Sequence, residues 1–373
     1  MVSTRFDDAA SAVVVTWPDG VVGTFPFIWL RDNCPTSFHR ETEERTFDLL
    51  SVPLKVHAAS ATLTEDDLLV VWTDGGHESR FALEWLRAHR PGARACDPAA
   101  IEPALWRADL GADALPKAHA DALEDDDALL AWLCEAKRYG LALIDGLEAE
   151  ESGFDVARRI GFLRRTNFGE TFDVVSKPDP NNLAYTPLAL PLHTDLTNQE
   201  TPPGFQFLHC LANEAIGGGS LFCDGFAIAE DIRRDDPLSY GKLSNTLVPM
   251  RFHDADYDIR NRERVIRLDE DGRPAEIRFN AHLAGVFDLP AAEMTDYYRA
   301  YRAFMAATRE PRYQITLKLK AGQMVVFDNR RILHGREAFD PTKGVRRLRG
   351  CYVDRGEWDS RIRVLSRAKG REA

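Results

Sequence analysis

The first hundred residues carry two similar β-type patterns. Val13-Val14-Val15-Thr16-Trp17 is β-branched and aromatic, Pro18-Asp19-Gly20 is a turn signal, and Val21-Val22-Gly23-Thr24-Phe25 follows. That spacing predicts a hairpin within residues 10–30. The pattern returns in Ala61-Thr62-Leu63 and Leu68-Leu69-Val70-Val71-Trp72, which lead through Asp74-Gly75-Gly76-His77 into Glu78-Ser79-Arg80-Phe81. Each pattern ends on a Trp-Leu-Arg segment, Trp29-Leu30-Arg31 and Trp85-Leu86-Arg87. Together they read as one small β-rich module of roughly 90 residues, a size a domain can have.

Beyond it, residues 91–120 are rich in Pro, Ala, Gly and Asp and lack periodicity, which reads as a surface linker. A helix is predicted over 121–139, where Leu129, Leu130, Trp132, Leu133 and Ala136 share one face and Gly140 is the stop. Leu141-Ala142-Leu143-Ile144 reads as a short buried strand, and a second helix covers about 150–164. From 183 onward the chain reads mostly as strands with Gly-rich turns, with one helix inserted over about 290–308. The expected divisions are a β-rich N-terminal domain over 1–95, a linker over 96–120 and a larger domain over 121–373.

Composition narrows the function classes. At 373 residues the chain exceeds one small core. A 44% apolar and 28% charged balance excludes a mostly disordered chain. The 47 basic and 59 acidic residues give a net charge of −12, which argues against sequence-independent nucleic-acid binding. The same charge does not oppose a small cationic ligand. No run approaches the ~18 apolar residues of a membrane span, and Met1–Asp8 lacks the basic start of a signal peptide. The six cysteines, Cys34, Cys96, Cys134, Cys210, Cys223 and Cys351, are scattered. They read as reduced thiols, so a cytoplasmic chain is expected.

The candidate chemistry begins at His193-Thr194-Asp195. In extended chain, residues two apart point to the same side, so an imidazole and a carboxylate can share one ion. Far downstream, the apolar run Val325-Val326-Phe327 leads through Asp328-Asn329-Arg330-Arg331 to His334-Gly335-Arg336. Two histidines and a carboxylate make the facial triad of non-haem Fe(II) oxygenases, which leaves positions open for co-substrate and O₂. By itself a His-x-Asp is as readily a hydrogen-bonded surface pair. Arg346 offers a fork-shaped cation for a co-substrate carboxylate, or is one more surface charge among Lys343, Arg347 and Arg349.

These motifs, with Pro203-Gly204-Phe205-Gln206-Phe207-Leu208-His209-Cys210, Gly217-Gly218-Gly219-Ser220-Leu221-Phe222 and Asp224-Gly225-Phe226, resemble the taurine-dioxygenase-like superfamily. Phe327–Arg336, Gly350-Cys351-Tyr352-Val353-Asp354 and Trp29-Leu30-Arg31-Asp32-Asn33-Cys34 narrow the resemblance to the γ-butyrobetaine dioxygenases, in their bacterial form. It spans essentially the whole chain. It implies an α+β, mainly β fold: a distorted double-stranded β-helix (a jelly roll) with flanking helices, plus the small β-rich N-terminal domain. His193, Asp195 and His334 would bind Fe(II). Arg346, with the Ser220 hydroxyl, would hold the far carboxylate of 2-oxoglutarate. Ascorbate would serve as reductant.

The implied reaction is hydroxylation of γ-butyrobetaine to L-carnitine with release of succinate and CO₂. A trimethylammonium group has no N–H to donate, so aromatic faces recognise it. Phe168, Phe172, Tyr185 and Tyr352 stand at the family's cage positions, although each is a core aromatic on the plainer reading. The two phenylalanines depart from the tyrosine and tryptophan of the animal enzyme. Asn182 and Asn280 would hold the substrate carboxylate, or cap their own turns. Trimethyllysine and 2-(trimethylamino)ethylphosphonate stay open as substrates, and a non-catalytic jelly-roll binding protein stays open as another class. Relatives carry a three-cysteine, one-histidine zinc site in the N-terminal module. Cys34, His39 and His77 are the candidates here, one ligand short of the usual four. A homodimer is expected from the family alone.

Overall fold

The valine-rich run Ala12–Thr16 is buried along its length and forms the middle strand of a three-stranded sheet in the computed structural model. That structure describes residues 1–7, 9–73, 75–176 and 185–372. Contacts divide the chain into two units, Met1–Asp97 and Pro98–Ala373.

In the first unit β1 (Ser3–Asp7), β2 (Ala12–Thr16) and β3 (Val22–Pro26) pair antiparallel and run into a short helix, α1 (Phe27–Asp32). β4 (Ala58–Leu63), β5 (Asp67–Trp72) and β6 (Glu78–Ala82) repeat the arrangement and run into α2 (Leu83–Ala88). Val13, Val15 and Phe25 from one sheet share a core with Leu68, Val70, Trp72 and Phe81 from the other. The two Trp-Leu-Arg segments are the two helices, and Trp29 and Trp85 lie 5.7 Å apart between ring centroids.

The second unit begins with β7 (Lys117–His119), α3 (Asp126–Tyr139), β8 (Leu141–Asp145), α4 (Ser152–Ile160) and β9 (Thr171–Val174). β10 (Leu190–His193), β11 (Phe205–Asn213), the two-residue β12 (Ile216–Gly217) and β13 (Ser220–Asp224) follow. Next come α5 (Gly225–Asp235), α6 (Pro237–Asn245), the hairpin β14 (Val248–His253) and β15 (Asp258–Glu263), the pair β16 (Ile266–Leu268) and β17 (Pro274–Ile277), and α7 (Ala291–Thr308). β18 (Ile315–Leu317), β19 (Met324–Asp328), β20 (Ile332–Arg336), β21 (Phe339–Asp340), β22 (Arg346–Val353) and α8 (Arg355–Glu372) complete it.

Two sheets make the scaffold. The larger runs β7-β8-β19-β11-β22-β9 and the smaller β10-β20-β13-β18. They pack face to face through Leu208, Val325, Phe327 and Leu348 on one side and Phe222, Ile315, Leu317 and Ile332 on the other. Trp132, Leu133, Phe154 and Trp358 from α3, α4 and α8 cover the outer face of the larger sheet. α5 and α7 cover the smaller sheet, with Ile228, Tyr297 and Phe304 against Cys223 and Leu333. This is the α+β, mainly β jelly roll with flanking helices that the motifs implied.

Several local readings differ. The stretch expected as a surface linker, 96–120, is pinned to the core at separate points. Trp106 and Leu115 are buried, the Trp106 indole donates to the Tyr139 carbonyl at 2.8 Å, and β7 joins the larger sheet parallel to β8. The residues between these anchors are exposed or half-buried, so the segment is an irregular strap whose buried positions have no period. α5, α6 and α8 were not anticipated. In α5 Gly225, Phe226, Ala227, Ile228 and Ala229 are all apolar and buried, so polar positions begin only at Glu230 and the first half carries no helical alternation.

Candidate active site

β10 and β20 pair so that His193 sits opposite His334, with ring centroids 4.3 Å apart. Asp195 follows just past the strand end, on the side of His193. One ligand atom from each of the three lies within 4.8 Å of the others, the one such group of three among the described residues. His193 Nδ1 is 2.8 Å from the Pro191 carbonyl. A carbonyl only accepts, so Nδ1 carries a hydrogen, and Nε2 faces Asp195 Oδ1 at 3.2 Å. His334 Nε2 stands 3.6 Å from Asp195 Oδ2. Two imidazole nitrogens and a carboxylate oxygen thus converge on one spot, where a cation can be shared. The two-nitrogen, one-oxygen donor set fits Fe(II).

The electrostatics agree. Burial opposes charge on Asp195, but His334, His193 and the Tyr352 hydroxyl outweigh it and hold the carboxyl well below its usual range. Burial pushes the His334 imidazole down to about 3, against the pull of the Asp195 charge.

These three line a cavity of about 550 Å³, within the range of small-molecule sites. Arg346 opens β22 on the same wall and is only 6% exposed. Its Nε donates to the Gly218 carbonyl at 3.2 Å, and among the described residues it has no carboxylate partner. Burial pushes it down to about 10, so it remains a cation at neutral pH. Gly218, at φ +69°, lets the turn pass: a Cβ there would stand 3.0 Å from Arg346 Cδ. Ser220 lines the cavity beside it.

The four aromatic candidates line the same cavity. Phe172 and Tyr352 lie 5.2 Å apart, and Phe168 packs on Phe252 at 5.5 Å. Gly350 lies beneath Phe172, where a Cβ would come within 2.5 Å of the ring. Asn280 also faces the cavity. Its Nδ2 donates to the Thr194 carbonyl at 3.2 Å and its Oδ1 accepts the His282 N–H at 3.0 Å, so it caps its turn as well. Asn182 lies outside the described residues.

The zinc candidates sit in the first unit and come together only in part. Cys34 Sγ lies 3.4 Å from His77 Nε2 and 3.1 Å from Thr36 Oγ1. His39 instead places Nδ1 3.3 Å from the Thr42 N–H nitrogen, and the three form no common cluster.

Sequence reasoning missed Arg336, Phe252, His282 and Asn329. Arg336 had a signal, because it follows His334 by two residues in a strand. It lines the cavity and donates to the Thr186 and Leu188 carbonyls at 2.6 and 2.9 Å. Burial, then repulsion from Arg346, pushes it down to about 10. Phe252 and His282 reach the cavity from the insertion, where no local pattern marks them.

Comparison with known proteins agrees with this geometry. A family model described as taurine catabolism dioxygenase TauD, TfdA family matches residues 105–352. One described as gamma-butyrobetaine hydroxylase-like, N-terminal, matches residues 4–87. The chain is 46% identical to the gamma-butyrobetaine dioxygenase of Pseudomonas sp. (strain AK-1), over 96% of this chain and 94% of that protein. It is 31% identical to the mitochondrial trimethyllysine dioxygenase of Gallus gallus, over 91% of this chain and 83% of that protein. A solved asparagine oxygenase in complex with Fe(II), 2S,3S-3-hydroxyasparagine and succinate shares the fold. It covers 69% of this chain and 87% of its own, at a TM-score of 0.50 and 17% identity. The chain therefore belongs to the taurine-dioxygenase family of Fe(II)- and 2-oxoglutarate-dependent oxygenases, in the branch that carries a γ-butyrobetaine hydroxylase-like N-terminal unit.

Proposed function

We propose that this enzyme hydroxylates γ-butyrobetaine to L-carnitine, with release of succinate and CO₂. One observation carries the reading: four aromatic side chains line the same cavity as the His193–Asp195–His334 group and the buried Arg346 cation. The 46% identity to a γ-butyrobetaine dioxygenase supports it.

In this reading His193, Asp195 and His334 hold Fe(II), which supplies the O₂-dependent oxidation. Arg346 and the Ser220 hydroxyl bind the far carboxylate of 2-oxoglutarate, where a guanidinium fork matches two oxygens. Phe168, Phe172, Tyr185 and Tyr352 receive the trimethylammonium head by their ring faces at little desolvation cost. Asn280, with Asn182, donates to the substrate carboxylate. Together these contacts fix which C–H faces the metal, and that positioning is the protein's share of the chemistry. The enzyme works in the cytoplasm as a homodimer, and its N-terminal unit (1–95) folds on its strands without zinc. Light scattering on the purified chain tests the dimer. One zinc per chain by elemental analysis contradicts the last point.

A second reading has trimethyllysine or 2-(trimethylamino)ethylphosphonate as substrate. It draws on Phe168 and Phe172, since phenylalanine is a weaker cation partner than tryptophan. The test is succinate formation with Fe(II), ascorbate and 2-oxoglutarate across a panel of trimethylammonium acids and phosphonates. γ-Butyrobetaine should give the highest kcat/KM. A higher value for another member transfers the assignment to it, and no stimulation by any member overturns the substrate class.

A further inference from the structure

Asp195 lies beyond the end of β10, where no strand partner serves its peptide groups. Both are taken by one side chain. The Asp195 N–H donates to Asn329 Oδ1 at 2.6 Å, and Asn329 Nδ2 donates to the Asp195 carbonyl at 3.1 Å. The other Nδ2 hydrogen reaches the Pro203 carbonyl at 3.2 Å. Asn329 is fully buried, and its own N–H donates to the Gly204 carbonyl at 2.8 Å.

This side chain occupies a particular place. Asn329 sits in the turn between β19 and β20, five residues before His334 on the same hairpin. One amide thus ties the backbone of Asp195 to the element that delivers His334. The next residue, Leu196, has φ +54°, a left-handed conformation uncommon for a branched side chain. Such a conformation persists where its surroundings over-determine it.

We propose that Asn329 is a positioning residue for the metal site: by holding both peptide groups of Asp195, it sets where that carboxylate meets the two imidazoles. The proposal rests on the reading of His193, Asp195 and His334 as the iron ligands. An asparagine amide offers one acceptor oxygen and two donor hydrogens, and all are used here. Aspartate would keep the shape and the acceptor but turn an oxygen against two carbonyl oxygens. Serine offers a single hydroxyl, enough for one peptide group and not for both.

The test measures metal affinity in the full-length, metal-free protein, by Co(II) titration read from ligand-field absorption. Loss of a group that orients a metal ligand costs about 10- to 100-fold in metal affinity. That loss is expected for Asn329→Asp, with a smaller one for Asn329→Ser. The metal-free melting transition reports folding separately. A lowered melting point with native Co(II) affinity in a folded variant means a purely structural role and overturns the proposal. If Asn329→Asp does not fold, Asn329→Ser decides. Hydrogen exchange of the native metal-free protein gives a readout without any variant: the Asp195 amide should exchange as slowly as the β19 core amides, and loop-like exchange overturns the proposal. His193→Ala separates the two readings. If it binds Co(II) as tightly as the native chain, the ligand assignment fails, whatever Asn329 does.

Discussion

The Tyr352 hydroxyl donates to Asp195 Oδ2 at 2.7 Å. The same tyrosine turns its ring to the cavity beside Phe172. Its tip therefore serves the carboxylate while its face forms the wall. Burial, together with the Asp195 charge, raises the phenol well above its ordinary range, so the hydroxyl stays a donor.

Tyr352→Phe removes the donor and keeps the ring. Metal affinity should fall by about 10-fold or more, while the KM for γ-butyrobetaine changes less than in Tyr352→Ala. Metal titration and steady-state kinetics on both variants check this. Equal KM effects in the two variants would mean that the ring face contributes nothing.

Much of this site was legible because it follows strand periodicity. His193 and Asp195, two apart, share a side, and β22 repeats the rule by turning Arg346, Leu348 and Tyr352 into one cavity. The metal group depends on β10 pairing with β20 across more than a hundred residues, which family motifs conveyed and local pattern did not. The contributions of Phe252 and His282 were hidden for the same reason. Asn329 reads locally as a turn residue, and only the fold shows that its amide serves Asp195. The irregular segment around Trp106 looked like a linker because its core contacts have no period.

Arg346→Ala should raise the KM for 2-oxoglutarate, since losing one partner of a buried charge pair costs about 2–5 kcal/mol, or roughly 30-fold at the least. Arg346→Lys should recover part of this, because an ammonium keeps the charge and loses the fork. The KM for the betaine should move less in both. A larger betaine effect would place Arg346 at the substrate instead.

Gly350→Ala tests the aromatic wall without touching a ring. Its Cβ would meet Phe172 at about 2.5 Å and force that ring to shift. The KM for the cation should rise, with little change for 2-oxoglutarate. Tyr185→Ala should show the same selectivity, by roughly 2- to 30-fold for a cation–π contact of about 0.5–2 kcal/mol. Equal effects on both constants would contradict the cage.

Asp224→Ala should cost stability and leave the site chemistry in place. Asp224 is buried, takes both Nε and Nη2 of Arg331, and accepts the backbone N–H groups of Trp106 and Phe226. Removing one partner of such a buried pair costs about 3–5 kcal/mol. Calorimetry should show a melting point lower by roughly 6 °C or more. An unchanged melting point would mean that the pair does not anchor the Trp106 segment.

The most direct test is stoichiometry. The purified chain is incubated with Fe(II), 2-oxoglutarate, ascorbate and γ-butyrobetaine, and succinate and the betaine product are measured together by mass spectrometry. A product one oxygen atom heavier than γ-butyrobetaine, matching carnitine and equimolar with succinate, is predicted, and both should vanish in His193→Ala. Succinate formation indifferent to γ-butyrobetaine, with no hydroxylated product, would contradict the account.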